Sequence, residues 1–408
     1  MQRLANNLIL SKYSIVLWLF LTILIFNGKN LIGLRVTTWD THDLGFVNFL
    51  YFVDALRSGY LPFWNPFIQG GVFFPSLNNA GLYTIYQIPF ELLSMVFNPS
   101  IIFEWMIQFF ILLGGLGTYF YFRIIQVKQE LSILGAITYT IVNLVSFTGQ
   151  YGFIVSLSSL PWMLVVVHLM ENNKISKYKI IFIGMLLGMY IVNGYPWMNF
   201  VNIALVFMYF IFLWKEKIKF INLIIFLISI VFIYFLFLYP GLDNLSFNYS
   251  LFSGNFQNYE PRLRSLGIQN PGLLYNTIFD SFIGLLDSLL YGRNLPTVFP
   301  LWVSGVGIVM TFLFFYLITL EKIILSKYEI FYLFVILFFL LYSSAVSTHL
   351  IKLTSLIPFF NSNRWFGLGN VYAQIGLIFV TITLMQKYIS SCEYSFKIKY
   401  FIFILLFD

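Results

Sequence analysis

Three side chains that can transfer protons or bind metal ions lie almost side by side early in the chain: Asp40, His42 and Asp43. A carboxylate can accept the proton of an attacking hydroxyl group, and an imidazole can accept a proton or bind a metal. One histidine without a second nearby is a weak indication of a metal site, although a divalent metal ion stays open as an additional component. The segment therefore predicts acid–base chemistry, with Asp43 as the first candidate for a base and Asp40 as the second.

The residues after Asp43 predict an amphipathic helix. Apolar side chains recur with helical spacing over 44–53, Arg57 suits the last turn, and Gly59 suits the end of the helix. Asp43 then lies at or near the helix start, where free backbone amides and the helix dipole favour a carboxylate. Two interpretations of Asp43 stay open: it caps this helix, or it acts as a base.

The next segment, 61–71, contains Trp64 and Asn65 among prolines and glycines. It is too irregular for a helix and too aromatic for a free linker, which predicts that it packs onto the membrane interface. A tryptophan such as Trp64 can stack on a sugar ring, but a place in the interfacial aromatic belt is the commoner role for any single tryptophan.

Composition fixes the class of protein that must position these residues. Of 408 residues, 60% are hydrophobic and 10% are charged, whereas roughly 25% are charged in soluble domains. Several apolar runs reach the roughly 20 residues that span hydrocarbon. The net charge of +7 is spread in short clusters between these runs, which indicates membrane orientation rather than nucleic-acid binding. The sequence predicts an all-α polytopic membrane protein, and its single cysteine excludes an internal disulfide.

The basic clusters and apolar runs together predict a topology of about ten to eleven transmembrane helices. Placing every basic cluster inside puts the N-terminus in the cytoplasm and requires an even number of crossings between neighbouring clusters. The predicted spans are 13–34, 100–122, 131–147, 153–170, 179–195, 198–214, 219–239, 297–320, 328–347 and 366–386. A last run begins at Phe401 and stops at Asp408 after about half a crossing, so we expect a truncated last helix, either in a fragment or in a short chain.

One apolar segment, 81–97, does not fit as a crossing. A span there would place the cluster at Arg123 outside, and Pro89 and Glu91 interrupt its middle. We predict an interfacial or re-entrant helix on the outer side. The outer face is then built mainly from two loops, 35–99 and 240–296, and a polar substrate would bind there. Every aspartate before Asp408 falls on this face, a distribution that either helix-end propensity or function would explain.

The first loop contains Asp43-Leu44, the run from Ala55 to Pro66 (ALRSGYLPFWNP), and Gly70-Gly71. In these residues it resembles the first loop of the bacterial YfhO-type membrane proteins. Weaker matches follow in the family's order and cover most of the chain: Gly149 with Leu160-Pro161-Trp162, Gly194-Tyr195-Pro196, Tyr239-Pro240-Gly241-Leu242, Ile357-Pro358-Phe359 and Asn363-Arg364-Trp365. The chain also departs from the family pattern. Gln150 and Tyr195 stand where histidine is common in the family, and Asn78 and Asn79 stand where the loop often has an acidic residue. Family members usually continue for several hundred residues.

The resemblance implies a GT-C type glycosyltransferase-like bundle, a single transmembrane domain over 1–408, in the bacterial cytoplasmic membrane. It implies transfer of a sugar from a polyprenyl-phosphate donor to a cell-envelope acceptor such as a teichoic acid. In that chemistry an acidic residue of the first loop, matched here by Asp43, lies near the reacting atoms. The partners are membrane lipid, the lipid-linked donor and the glycan acceptor, with no nucleic acid.

A phosphate leaving group needs cationic stabilisation. The expected substrate-binding residues are Arg364, Arg57, Trp64, Asn65 and Arg293. Two rivals stay open: a transporter or flippase of a lipid-linked intermediate, and a non-catalytic scaffold. Transporters commonly show internal repeats and buried ionisable residues in their spans, and here no repeat is found and Glu104 is the notable acidic residue within a span.

Overall fold

The computed structural model describes residues 14–38, 40–66, 72–74, 80–171, 175–213, 220–238, 313–318, 325–343 and 368–391. Within this part the chain is helical apart from one short antiparallel strand pair. The long helices coincide closely with predicted spans, because uninterrupted apolar sequence of this length satisfies its backbone only as a helix in lipid. The main helices are α1 (Ser14–Leu31), α2 (Val47–Arg57), α3 (Ile88–Ser94), α4 (Pro99–Ile124), α5 (Gln129–Tyr139), α6 (Tyr151–Glu171), α7 (Lys177–Ile191), α8 (Pro196–Leu213), α9 (Phe220–Leu238), α10 (Lys327–Ser343) and α11 (Leu368–Ser391).

Shorter elements complete the described chain. A π-helical turn (Thr41–Phe46) precedes α2, and β1 (Trp64–Asn65) pairs with β2 (Val72–Phe73). A 3-10 turn (Ala80–Tyr83) precedes α3, and α5 continues through a π-helical turn (Thr140–Leu144) and a 3-10 turn (Val145–Phe147).

Several of these helices are long and apolar enough to cross a membrane. Among the described residues these are Ser14–Leu31, Pro99–Ile124, Gln129–Phe147, Tyr151–Met170 and Phe220–Phe237. The chain is therefore a helical membrane protein. The full number of spans and their orientation stay predictions.

The chain divides into two compact units. Unit 1 comprises 1–126 and 147–246, and unit 2 comprises 127–146 and 247–408. In unit 2, α11 packs against both α5 and α10. There Glu329 is buried and receives a hydrogen bond from Lys387 Nζ at 2.8 Å, which gives the buried carboxylate its charge partner. The single domain over 1–408 stays a prediction.

The central helix of unit 1 is α6, which packs against α4, α7 and α8. In the 18-residue apolar window of Tyr151–Met170, 89% of the residues are buried, against 22% in Phe220–Phe237 of α9. Polar side chains stabilise these contacts: Ser156 Oγ donates to Asn199 Oδ1 at 2.7 Å, and Asn202 Nδ2 donates to the Ser156 carbonyl at 2.7 Å. Such interhelical bonds replace the hydrophobic driving force that helices lack in lipid.

Two glycines one helical turn apart, Gly184 and Gly188, bring α7 against α9. A Cβ at Gly188 would lie 2.7 Å from the Ile230 carbonyl oxygen, and one at Gly184 would lie 2.8 Å from Ser229 Cβ. This is the small-residue spacing that lets membrane helices approach backbone to backbone.

A row of polar contacts holds α1 against α4 and fixes where the first loop starts. Asn27 Nδ2 donates to Gln108 Oε1 at 2.9 Å, and Asn30 Nδ2 donates to Glu104 Oε2 at 3.1 Å. The backbone N–H of Thr37 donates to the other Glu104 oxygen at 2.5 Å. In the sequence, Glu104 is notable only as an acidic residue within a predicted span. In the structure, its two oxygens accept these hydrogen bonds, so Glu104 positions the start of the loop.

The segment predicted as interfacial contains α3, which is only 7 residues long. At 1.5 Å per residue it extends roughly 10 Å, about a third of the hydrocarbon thickness. It packs against α4 and α2. A helix of this length is too short to cross the hydrocarbon by itself. The prediction that 81–97 makes no crossing, and its placement on the outer side, stay predictions.

Candidate functional site

The acidic residues of the first loop lie at the start of a helical segment that is tied to the turn before α6. Asp40 is the residue that precedes the π-helical turn. Its Oδ2 accepts a hydrogen bond from Gln150 Nε2 at 3.0 Å. The Thr41 backbone N–H donates to the Gly149 carbonyl at 3.1 Å, and the Tyr151 backbone N–H donates to Thr41 Oγ1 at 2.8 Å. These three bonds hold the segment Asp40–Asp43, called the acidic turn below, against residues 149–151.

Asp43 lies in the first turn of this π-helical segment, and its side chain is 76% exposed. Its Oδ1 lies 3.3 Å from His42 Nδ1, and the His42 ring stacks on Phe46 with a centroid distance of 5.6 Å. Asp40, not Asp43, occupies the cap position, and no side-chain cap bond forms there. The interpretation of Asp43 as a plain N-cap is therefore wrong. Its carboxylate faces solvent beside an imidazole, which leaves it able to accept a proton.

Aromatic side chains pack the π-helical turn and the start of α2 against α4. The Phe46 and Phe49 rings both contact Phe103, at centroid distances of 5.5 and 5.2 Å. Gly45 faces the same ring, since a Cβ there would lie 3.3 Å from Phe103 Cζ. Phe103 directly precedes Glu104, so the residues that hold the loop start and the acidic turn are neighbours on α4.

The C-terminal end of α2 is capped at Gly59, as predicted. Tyr60 N–H donates to the Ala55 carbonyl and Gly59 N–H donates to the Leu56 carbonyl, each near 3 Å, and Gly59 has φ +83°. This is the Schellman arrangement, in which the left-handed residue is usually glycine.

Arg57, in the last turn of α2, contacts protein groups at two points. Its Nη1 lies 3.3 Å from Asp54 Oδ1, and its Nη2 donates to the Ser94 carbonyl at 2.7 Å. At 1.5 Å per helical residue, Arg57 lies roughly 20 Å along the helical segment from Asp43. The structure therefore does not bring these two candidates together.

Trp64 and Asn65 form β1 and differ in exposure. The Trp64 side chain is exposed, and its carbonyl accepts a hydrogen bond from Tyr51 Oη at 2.6 Å. Asn65 is 3% exposed and pairs in register with Val72. Of this pair, Trp64 is the residue available to a ligand. Arg364 and Arg293 lie outside the described residues, as do Gly70-Gly71, Asn78 and Asn79.

Tyrosines around α2 pack the loop together. Burial raises the pKa of Tyr51, and the neighbouring Tyr60 hydroxyl raises it further. Tyr83 donates its hydroxyl to the Pro62 carbonyl, and burial raises the pKa of Tyr83 well above its ordinary value. These phenols stay protonated at neutral pH and serve as hydrogen-bond donors rather than bases.

Sequence reasoning misses the groups that support the acidic turn. Thr41 and Tyr151 are 110 residues apart, and no spacing pattern links them. In the sequence, Gln150 is notable only because histidine is common at this position in the proteins that the first loop resembles. His42 is a weak signal as a lone histidine, yet it is the neighbour of the Asp43 carboxylate.

No group of three or more His, Cys, Asp or Glu side chains in the described part of the chain is arranged to hold a metal ion. No protein-family model, no curated protein and no solved structure matches this chain.

Proposed function

We propose that the chain is a membrane glycosyltransferase with a GT-C-like bundle of ten to eleven transmembrane helices. It transfers a sugar from a polyprenyl-phosphate donor to a cell-envelope acceptor such as a teichoic acid or another surface glycan. The N-terminus is cytoplasmic and the first loop faces outward from the bacterial cytoplasmic membrane. The observation that carries the proposal is an exposed carboxylate, Asp43, on a supported turn at an apolar surface.

The surroundings of Asp43 suit a donor that is half lipid and half sugar. Leu44 is 60% exposed and Val47 is 52% exposed, so apolar side chains adjoin the acidic group on the same turn. A polyprenyl chain would contact such side chains while its phosphate and sugar stay at the polar boundary. This juxtaposition supports a lipid-linked substrate over a soluble one.

In the proposed reaction the acceptor hydroxyl oxygen attacks the anomeric carbon as the bond from that carbon to the phosphate oxygen breaks. The electron pair of that bond leaves with the phosphate, and Asp43 takes the hydroxyl proton. His42, beside the carboxylate, orients it. The product has inverted configuration at the anomeric carbon, because attack and departure occur on opposite faces.

The phosphate is stabilised by arginine, for which Arg364 and Arg293 are the first candidates. Arg57, at the far end of α2 from Asp43, suits a more distant part of the substrate. Trp64, exposed on β1, offers a face for sugar stacking, and Asn65 supports that strand from within.

The test is transfer by the purified protein in proteoliposomes, with a radiolabelled polyprenyl-phosphate sugar and an envelope glycan acceptor. Asp43→Asn keeps the shape and removes the base, so transfer is expected to fall at least 100-fold, within the usual range for a general base. Glu130→Gln, which removes a carboxylate from unit 2, is the matched control and should keep wild-type activity.

Unchanged transfer by Asp43→Asn would remove Asp43 from the mechanism. Wild-type protein that moves a lipid-linked sugar across the bilayer without transferring it would favour the transporter or flippase. Absence of both activities with several sugars would favour a non-catalytic scaffold.

A further inference from the structure

The short helix α3 has its polar and apolar sides reversed relative to a helix of a soluble protein. Its buried side carries Gln87, just before the helix, then Glu91 and Ser94, all at most 1% exposed. These positions have the spacing of one helical face. The exposed side is apolar: Ile85, Ile88, Leu92, Leu93, Met95, Val96 and Phe97. An exposed apolar side of this size is expected to contact lipid, and the polar side then faces the protein interior.

The buried side contains oxygen atoms without donors. In the described part of the chain, Gln87 Oε1, both Glu91 carboxyl oxygens and Ser94 Oγ have no hydrogen-bond partner. The Gln87 amide nitrogen is already used, because it donates to the Tyr151 hydroxyl. Leaving a buried polar group unpaired is unfavourable, because the group loses its bonds to water and gains none in the protein. Three neighbouring side chains whose oxygen atoms receive no hydrogen bond within the described residues indicate a site for a ligand that carries positive charge.

The groups around Glu91 do not supply that charge. On α2, Arg57 is engaged by Asp54 and by the Ser94 carbonyl. On α4, the carboxyl of Glu104 is engaged by Asn30 and Thr37.

The phenols near Glu91 are neutral. Burial raises the pKa of Tyr83, in the turn before α3, and a negative charge on Glu91 would raise it further. Burial raises the pKa of Glu91 to about 9, so that it holds a proton at neutral pH. The other nearby tyrosine, Tyr86, has its pKa raised by burial to about 12.

We propose that Gln87, Glu91 and Ser94 form a buried binding site for a monovalent cation, in which the Glu91 carboxyl takes up either a proton or a sodium ion. Gln87 connects this site to Tyr151, whose backbone N–H bonds Thr41 in the acidic turn. The cation site and the candidate catalytic turn therefore share one hydrogen-bonded path. The site itself does not depend on the proposed sugar transfer.

Dicyclohexylcarbodiimide tests the proposal, because it is apolar and reacts with a protonated carboxyl group by adding its O–H across a C=N bond. The purified full chain in detergent is treated at pH 7 and at pH 10, and the modified peptide is located by mass spectrometry. Glu91 is expected to be labelled at pH 7, with labelling about tenfold lower at pH 10. A parallel series with sodium or choline chloride at pH 9 separates the two cations: slower labelling in sodium identifies a sodium site, and equal labelling identifies a proton site.

Glu91→Gln should abolish this label, whereas Glu104→Gln, which changes the hydrogen-bonded carboxyl of α4, should keep it. Absence of label at Glu91 at pH 7 would overturn the proposal. So would labelling that is already lost between pH 4 and pH 6, since that is the behaviour of an ordinary solvated glutamate. Peptide mapping of the wild-type protein distinguishes these outcomes even where a variant fails to fold.

Discussion

At the residue scale, the burial of Glu91 links stability to pH. The carboxyl has an ordinary pKa of 4.5 when the chain is unfolded and about 9 in the fold. Between these values the folded chain holds a proton that the unfolded chain has lost, so stability falls as pH rises. The contribution is complete below about pH 4.5 and is lost by about pH 9.

We therefore expect the wild-type midpoint of thermal unfolding in detergent to decrease from pH 5 to pH 9. Glu91→Gln cannot ionise and should show a flatter profile, with the difference in stability changing by at most about 1.4 kcal/mol per pH unit. Parallel profiles for the two proteins would show that Glu91 does not hold a proton in the fold.

A second buried carboxyl, Glu104, stabilises the start of the first loop through two donors. Glu104→Leu leaves Asn30 Nδ2 and the Thr37 N–H unpaired and should lower the free energy of unfolding by about 1–3 kcal/mol for each donor. Glu104→Gln keeps one acceptor oxygen and should lose less. Thermal unfolding of the two variants measures this order, and an equal loss would mean that the hydrogen bonds contribute little.

Residue types can identify an acid as a candidate base, but they do not predict what surrounds it. Asp43 is recognisable from sequence because a carboxylate followed by amphipathic spacing is a local pattern. The bond from Tyr151 to Thr41 joins distant parts of the chain, and only packing brings them together. For Glu91 a pattern does exist, since Gln87, Glu91 and Ser94 repeat at helical spacing within an apolar segment.

At the element scale, the contact between α7 and α9 depends on glycine. Gly188→Ala places a methyl group 2.7 Å from the Ile230 carbonyl oxygen, where backbone must move. We expect a loss of about 1–3 kcal/mol, as for other overpacked contacts. Gly28→Ala is the matched control, because its Cβ would meet only Leu24 Cδ2 at 3.7 Å.

The control should be neutral or stabilising by up to about 1 kcal/mol, since alanine favours helix. Thermal unfolding of both variants measures the difference. Equal behaviour of the two alanine variants would show that α7 and α9 do not need their close approach.

The elements themselves are largely predictable. Helices such as α4 and α6 begin and end close to the predicted bounds, because apolar length decides a membrane helix. No local pattern predicts the π-helical turn at 41–46, and its first residue, Thr41, bonds to Gly149 and Tyr151, which are distant in the sequence. Pro89 and Glu91 predict that a long helix is interrupted here, and α3 is short, but the reversal of its polar and apolar sides becomes visible only from side-chain burial.

At the scale of the whole molecule, the predicted orientation places the first loop outside and the segment after α11 in the cytoplasm. The single native cysteine, Cys392, follows α11 and is predicted to be cytoplasmic. In a Cys392→Ser background, Ser58→Cys places a thiol at an exposed position after α2. A membrane-impermeant maleimide should label Ser58→Cys in intact cells, and should label Cys392 of the wild type only after lysis. The opposite pattern would invert the proposed topology.

The bonds between the acidic turn and the start of α6 have a consequence for genetics. Thr41 and Tyr151 are 110 positions apart but share a hydrogen bond, and Asp40 and Gln150 are equally far apart and share another. A substitution at 40 or 41 that weakens these bonds changes the surface against which residues 149–151 pack. Second-site suppressors of such changes should therefore map to 149–151 and not to the neighbours of Thr41 in sequence.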